Sequence, residues 1–115
     1  MTVLSGIGMA GYYAGPEVHI VDELALGDPL LSHLRLDNIS DWRLAHFRRN
    51  IPEGYLESLE SGKNKITDPA LAKYYDKLTL ITRGDIWSLE RWEAIWKMNT
   101  GQYDYLIEAY MKSQP

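Results

Sequence analysis

The segment GIGMAGYYAGPEVHIVDELALGDPLL, residues 6–31, decides the fold. It combines a glycine-rich turn, a short helix, a β-branched run and a capped helix start in one short piece of chain. Such a density of turns, strands and helix starts is typical of a sheet edge that faces a ligand. The segment therefore predicts an α/β fold with its sheet near the N-terminus.

The glycines of this segment also match a dinucleotide-binding fingerprint. Gly6, Gly8 and Gly11 form the pattern G-x-G-x-x-G directly after a short apolar run. In a dinucleotide-binding unit, however, the acidic residue that binds the ribose lies about 20 residues beyond the glycines, after a full crossover helix. Here Asp22 follows Gly11 by 11 positions, and Gly15 with the proline after it stops any helix after roughly two turns. A nucleotide-binding enzyme fragment is therefore the weakest functional alternative.

Composition and charge limit the classes of protein to which the chain can belong. Its 115 residues, of which 45% are hydrophobic and 24% charged, suit one globular domain with a modest core. A net charge of −4 without a long basic run argues against nucleic acid as a partner. The lack of cysteine excludes disulfides, thiolate metal sites and cysteine nucleophiles. Because no run of about 18 apolar residues occurs, we expect a single soluble domain that does not span a bilayer by itself.

Hydrophobic periodicity and capping residues predict a predominantly helical domain with a small, parallel N-terminal sheet. Strands are expected at residues 2–4 and 18–21, where apolar and β-branched residues form short runs. About five to six helices are expected. Their predicted ranges are residues 7–14, 29–36, 52–61, 69–83, 89–100 and 103–112. Residues 42–49 are expected to be extended.

Aromatic residues of the later helices are expected to lie in the core. Tyr74 belongs to the apolar stripe of the helix predicted for residues 69–83. In the helix that follows Ser88, four residues at helical spacing are expected to face inward: Leu89, Trp92, Ile95 and Trp96. Exposed rings would instead stack on sugars or lie at membrane interfaces.

No arrangement of residues predicts a catalytic or metal site. His19, His33 and His46 stand 14 and 13 positions apart, without the close spacing that places two imidazoles on one metal. Ser5 lacks the G-x-S-x-G context of a hydrolase nucleophile. We therefore expect no catalytic residue, no metal and no cofactor in this chain.

Two acidic residues are candidates for ligand binding. Asp22 follows the second predicted strand, Asp28 starts the helix after it, and open α/β sheets place their ligands at such edges. The alternative is structural, with turn chemistry for Asp22 and helix capping for Asp28. The sequence leaves both interpretations open.

Cationic and aromatic residues complete the candidate ligand site. A dense cationic cluster lies in this otherwise acidic chain: Arg43, His46, Arg48 and Arg49. Such a cluster suits a phosphate or another anionic group, although scattered surface salt bridges are the alternative. Tyr12 and Tyr13, in the glycine segment, are the aromatic candidates, because exposed rings stack on sugar faces.

Several short motifs occur in order along nearly the whole chain. They are GMAGYYAGP (8–16), VD (21–22), LGDPLL (26–31), HF (46–47), IPEGYL (51–56), SGKN (61–64), LAKYYDKL (71–78) and TRG (82–84). In this order they resemble the C-terminal extramembrane region of polytopic bacterial membrane proteins related to the actinobacterial cell-wall arabinofuranosyltransferase. Some relatives in that group carry a flagellar-motor-control label. The resemblance extends from about Gly6 to Tyr105.

The resemblance implies a function that the residues alone do not. In that family, sugar transfer from a polyprenyl-phosphate donor is expected to use an acidic residue on an extracytoplasmic loop of the membrane domain, a loop that these residues do not include. The chain would then be a periplasmic accessory domain from the C-terminus of a larger membrane protein. It would help to recognise the sugar acceptor or the polyprenyl-phosphate sugar, without being catalytic alone. Its partners would be the parent's membrane domain and that ligand.

A protein–protein interaction module is the alternative from a different class. In that case the helices from Pro69 onward would dock on the membrane domain or on another subunit. This alternative predicts a contiguous exposed apolar patch on the C-terminal helices.

Overall fold

The computed structural model describes residues 1–4, 8–25, 27–34 and 50–114, and the chain divides into two compact units, Met1–Ile51 (unit 1) and Pro52–Pro115 (unit 2). The described elements of unit 1 are strand β1 (Thr2–Leu4), helix α1 (Gly8–Ala14), strand β2 (Ile20–Asp22) and a 3-10 turn (Leu31–His33). Those of unit 2 are the helices α2 (Tyr55–Ser61), α3 (Pro69–Arg83), α4 (Leu89–Asn99) and α5 (Asp104–Ser113). These elements confirm the predicted class, a predominantly helical α/β fold with a small parallel sheet.

The sheet of unit 1 pairs β1 with β2. The strands are parallel, as predicted, in a register that places Val3 opposite Val21. The backbone N–H of Thr2 donates to the carbonyl of His19 at 2.9 Å, just before β2. β2 begins at Ile20 rather than at residue 18, so its existence was predicted more accurately than its start.

α1 connects the two strands and is short. It spans seven residues and stops before the Gly-Pro pair at residues 15–16, as the sequence predicts. A dinucleotide-binding unit needs a crossover helix of normal length. The length of α1 therefore argues against the nucleotide-binding alternative.

The helix predicted for residues 29–36 is wrong in its described part. Leu31–His33 form one 3-10 turn, and Leu34 after it is extended, with ψ 155°. The ring nitrogen Nδ1 of His33 lies 2.8 Å from the Pro29 carbonyl oxygen, which an α-helix would offer to the His33 N–H. Side-chain contacts of this kind compete with the backbone hydrogen bonds that continue a helix.

The two central helices of unit 2 begin at capping side chains that the sequence predicts. Asp68 Oδ1 accepts the N–H of Leu71 at 2.9 Å at the start of α3. Ser88 Oγ accepts the N–H of Arg91 at 3.1 Å at the start of α4. Each cap satisfies a backbone N–H that has no partner within its helix.

Gly54 sets the start of α2. Its φ is 88°, and a Cβ atom at this position would overlap the backbone carbonyl of Lys65. α2 therefore begins at Tyr55 rather than at residue 52. The hydroxyl of Ser58 donates to the Gly54 carbonyl and accepts the N–H of Lys65, both at 2.7 Å, which holds this close approach in place.

α3 is the centre of unit 2, since it packs against both α4 and α5. Tyr74 on α3 is buried, as predicted. Tyr75 meets Tyr55 of α2 edge to face, with 5.7 Å between the ring centroids. Leu106 and Tyr110 supply the buried side of α5. The core of this unit is therefore built largely from tyrosine rings and leucines.

The inward face predicted for α4 is wrong. Ala94 is the one residue of this helix that is buried, whereas Leu89, Trp92 and Trp96 are all exposed and Ile95 is partly buried. Helical spacing identifies residues that share a face, but it does not identify the face that meets the core. α4 packs with the small Ala94 inward, and its large apolar stripe stays in contact with water.

None of the helices in the described ranges combines the length and the hydropathy needed to cross a membrane. Residues 35–36 and the segment predicted to be extended, residues 42–49, lie outside the described residues. The expectation of a single domain stays a prediction.

Candidate functional site

Asp22 lies at the end of β2, where the sequence places it, but it is buried, with 1% of its surface exposed. Its Oδ1 accepts the N–H of Leu24 at 3.1 Å, and its Oδ2 accepts the N–H of Gly27 at 3.2 Å. Both carboxylate oxygens therefore hold the turn that leaves the strand. This geometry supports the turn interpretation of Asp22.

Asp28 has an equivalent structural role at the next turn. It is 3% exposed, and its Oδ1 accepts the N–H groups of Leu30 and Leu31 at 3.0 and 2.8 Å. These are the hydrogen bonds of an N-terminal cap. The capping interpretation of Asp28 is therefore the one that the geometry supports.

The aromatic candidates of unit 1 are on the surface. Tyr12 and Tyr13 on α1 are 82% and 78% exposed, and their rings meet edge to face with centroids 5.3 Å apart. The structure thus brings the two tyrosines together as an exposed pair, whereas Asp22 and Asp28 are buried. These four residues do not share one exposed surface.

The cationic candidates lie outside the described residues: Arg43, His46, Arg48 and Arg49. Within residues 1–4, 8–25, 27–34 and 50–114, no three histidine, aspartate or glutamate side chains come together as a metal site requires. His19 and His33 are exposed on unit 1.

A group of large apolar side chains is exposed on α4 and on the turn that precedes it. The group, here called the outer face, consists of Ile86, Trp87, Leu89, Trp92 and Trp96, which are 60%, 81%, 86%, 49% and 68% exposed. The three helical members follow i, i+3, i+7 spacing and so form one stripe. The other two, Ile86 and Trp87, directly precede the cap of α4 in the sequence and are exposed as well.

Charged side chains beside the outer face have partners within unit 2. Arg91 Nε donates to the carbonyl of Ile81 at 2.9 Å, and its guanidinium lies 5.8 Å from the ring centroid of Trp92. Lys97 and Glu93, one turn apart on α4, form an ion pair at 2.7 Å. Glu93 and Lys97 therefore neutralise each other, whereas the Arg91 guanidinium is held by a carbonyl oxygen and lies near an indole ring.

The ion pair of α4 changes the pKa of both partners. The hydrogen bond from Lys97, followed by its positive charge, lowers the pKa of Glu93. The hydrogen bond to Glu93, followed by its negative charge, raises the pKa of Lys97. Both groups are therefore ionised around neutral pH, and the pair adds no net charge.

A polar cleft of about 350 Å³ lies between α3 and α4. Its walls are formed by Lys77, Leu80, Glu90, Glu93, Ala94, Lys97 and Tyr103. Two lysines and two glutamates balance each other there, so the cleft does not select an ion of either sign. We assign no ligand to it.

Comparisons of the chain with protein-family models, with curated proteins and with solved structures found no match. The function is therefore inferred from the residues and their geometry.

The sequence does not predict the outer face as an exposed surface, although one signal for it is present. Ile86 and Trp87 lie in a turn between the end of α3 and the cap at Ser88. Large apolar residues confined to such a short connection have little chance of packing into the core. They indicate that the connection lies at the surface, but they do not identify the side of α4 that meets the core.

Proposed function

We propose that the chain is a non-catalytic accessory module of a glycosyltransferase-like parent protein and that it docks at the membrane in which this parent is embedded. The observation that carries the docking role is the outer face, with its five exposed apolar side chains. A face of this kind on the C-terminal helices is what the interaction-module alternative predicts.

The size of the outer face favours docking over incidental exposure. At about 150–250 Å² for each large side chain, the five exposed fractions amount to roughly 500–900 Å² of surface. The largest apolar patch on a typical monomer is about 300–600 Å², whereas one side of a standard protein interface buries about 800 Å². The outer face therefore lies at or above the upper end of what a monomer ordinarily exposes and approaches the area that one side of an interface buries.

The order of the motifs supports the proposal that the parent is a glycosyltransferase-like membrane protein. It favours an extracytoplasmic position beside a membrane domain that carries the catalytic acid, with this chain in an accessory role. The hydrogen-bonded, buried positions of Asp22 and Asp28 fit such a role, because both carboxylates stabilise turns of unit 1.

A sedimentation assay with membranes from the source cells tests the docking. We expect the purified 115-residue chain to sediment with these membranes, and the double variant Leu89→Glu/Trp96→Glu to do so at least about tenfold more weakly, because charged side chains resist burial in an apolar contact. Tyr105→Ser is the matched control, since Tyr105 is an exposed aromatic residue of α5 outside the outer face. Equal sedimentation of the double variant and the wild-type chain would contradict the proposal.

The second candidate function is sugar or polyprenyl-phosphate recognition by unit 1. The exposed pair Tyr12–Tyr13 favours it, since exposed rings stack on sugar faces. Titration with a pentose or a short polyprenyl phosphate should then shift backbone amide signals of residues 8–15, and Tyr12→Ser/Tyr13→Ser should abolish these shifts. Unchanged amide signals with both ligands would contradict this candidate.

A further inference from the structure

The outer face is a row of exposed side chains on one helix and on the turn before it. Three of its members project from one side of an eleven-residue helix, and the other two project from the turn before that helix. Such a row of apolar side chains can insert either into a groove of a partner protein or into the lipid–water interface of a bilayer. The side chains and charges of the outer face distinguish these two occupants.

Indoles dominate the outer face, with Trp87, Trp92 and Trp96 alongside Ile86 and Leu89. An indole combines a large apolar ring with one N–H donor, and tryptophan is enriched where hydrocarbon meets water at a membrane surface. Amphipathic helices that lie in this region place Trp and Leu on their buried side. The composition of the outer face is that of such a helix.

Three charged side chains of α4 near the outer face have contacts within unit 2. Glu93 and Lys97 neutralise each other, and the Arg91 guanidinium is held by the Ile81 carbonyl and lies near the Trp92 ring. Specific protein interfaces usually have a polar rim whose charges match those of the partner. The two acidic and two basic residues of α4 cancel, and the whole chain has a net charge of −4, so attraction to anionic lipid is not the driving force.

We infer that the outer face is occupied by the lipid–water interface of a bilayer, into which its indoles, leucine and isoleucine insert without electrostatic attraction. The inference rests on the proposed docking role and names the partner of that same surface. α4 would lie along the membrane plane, with the side that carries Ala94 turned towards α3 and the outer face towards the acyl chains.

Tryptophan fluorescence with protein-free vesicles tests the inference. In a Trp42→Phe background the indole signal comes from the outer face alone, because the remaining tryptophans are Trp87, Trp92 and Trp96. With phosphatidylcholine vesicles we expect a blue-shifted emission, and with phosphatidylcholine brominated on its acyl chains we expect quenching. Binding should be nearly constant between about 0.05 and 0.5 M salt, because no net charge drives it.

The variant Ile86→Glu/Leu89→Glu keeps all three indole reporters and should weaken partitioning at least about tenfold. Tyr105→Ser, made in the same background, should partition like the Trp42→Phe variant alone. Far-ultraviolet circular dichroism of each variant verifies that the helices remain. Brominated-lipid quenching of the unmodified chain gives a second measurement that does not depend on the Trp42 substitution.

Each other outcome overturns the inference in a recognisable way. If the chain binds cell membranes but not protein-free vesicles, the occupant is a membrane protein, and the proposed docking function survives. If it binds neither, both proposals fail. If only anionic vesicles bind, and salt abolishes the binding, surface charge is responsible. If light scattering shows a dimer that Ile86→Glu/Leu89→Glu disrupts, while vesicles have no effect, the occupant is a second copy of the chain.

Discussion

The hydroxyl of Ser113 lies 2.9 Å from Oδ2 of Asp68 and 2.7 Å from the carbonyl oxygen of Tyr110, so its one proton is shared between two acceptors. The contact with Asp68 joins the last residue of α5 to the cap of α3 across 45 positions of sequence. The other carboxylate oxygen, Oδ1, accepts the N–H of Leu71. One side chain therefore starts the central helix of unit 2 and attaches the end of its last helix.

Replacing this carboxylate should show both roles. Asp68→Ala should lower the free energy of unfolding by about 1–2 kcal/mol, because the cap is lost. Ser113→Ala should cost about 0.5–1 kcal/mol, as expected for one exposed hydrogen bond. Urea unfolding of both single variants and of the double variant measures the coupling. Strictly additive losses would show that the contact between Asp68 and Ser113 does not stabilise the fold.

Gly54 should be the least replaceable glycine of unit 2. Gly54→Ala should lower the free energy of unfolding by more than about 1 kcal/mol, because φ is positive and the Cβ would overlap the Lys65 carbonyl. Gly62→Ala is the matched control, since Gly62 also has positive φ but open space around its Cβ position. In chemical unfolding, Gly54→Ala should have a lower free energy of unfolding than Gly62→Ala. The reverse order would contradict the close approach of Gly54 to the Lys65 carbonyl.

Asp22 should act as a structural residue. Asp22→Asn places an amide NH₂ where one carboxylate oxygen accepts a backbone N–H, so we expect a loss of about 1–3 kcal/mol. Hydrogen exchange should accelerate at the amides of Leu24 and Gly27, the two donors, more than at Val21. Unchanged stability together with unchanged exchange would contradict the turn role and reopen the ligand role.

Tyr74 should make stability depend on alkaline pH. Burial, with a smaller effect of the Asp104 charge, raises the pKa of Tyr74 from its usual 10.0 to about 12. Its neutral form is favoured in the folded state, so this stabilisation is complete below pH 10 and is lost as the pH rises towards 12.

Thermal unfolding across this pH range measures the effect. Tyr74→Phe removes the ionisable hydroxyl, so the melting temperature of this variant should fall less steeply above pH 10 than that of the wild-type chain. Tyr105→Phe, at an exposed tyrosine, is the control and should follow the wild-type curve. Parallel curves for all three proteins would show that the folded state does not raise the pKa of Tyr74.

Local signals predicted much of the fold. Asp68 and Ser88 identify the starts of α3 and α4, because a cap bonds to backbone groups three residues away and needs no distant partner. The parallel pairing of two short strands was also predicted. The helix predicted for residues 29–36 is wrong in its described part, because the His33 side chain contacts the carbonyl oxygen that an α-helix would use.

The candidate site was harder to predict, since exposure is not a local property. Asp22 stands at a strand end whether it binds a ligand or closes a turn, and only its burial with two backbone donors favours the turn. Tyr12 and Tyr13 are exposed, as a stacking role requires. The cationic cluster at residues 43–49 lies outside the described residues, so its role stays a prediction.

The sequence by itself determined the fold class and the caps of α3 and α4, because these depend on residues within a few positions of each other. Only the tertiary structure decided which side of α4 meets the core. Periodicity groups Leu89, Trp92 and Trp96 on one stripe, but the packing of α4 on α3 buries the small Ala94 and leaves that stripe in water. The direction in which a helix turns its apolar side depends on contacts between distant parts of the chain.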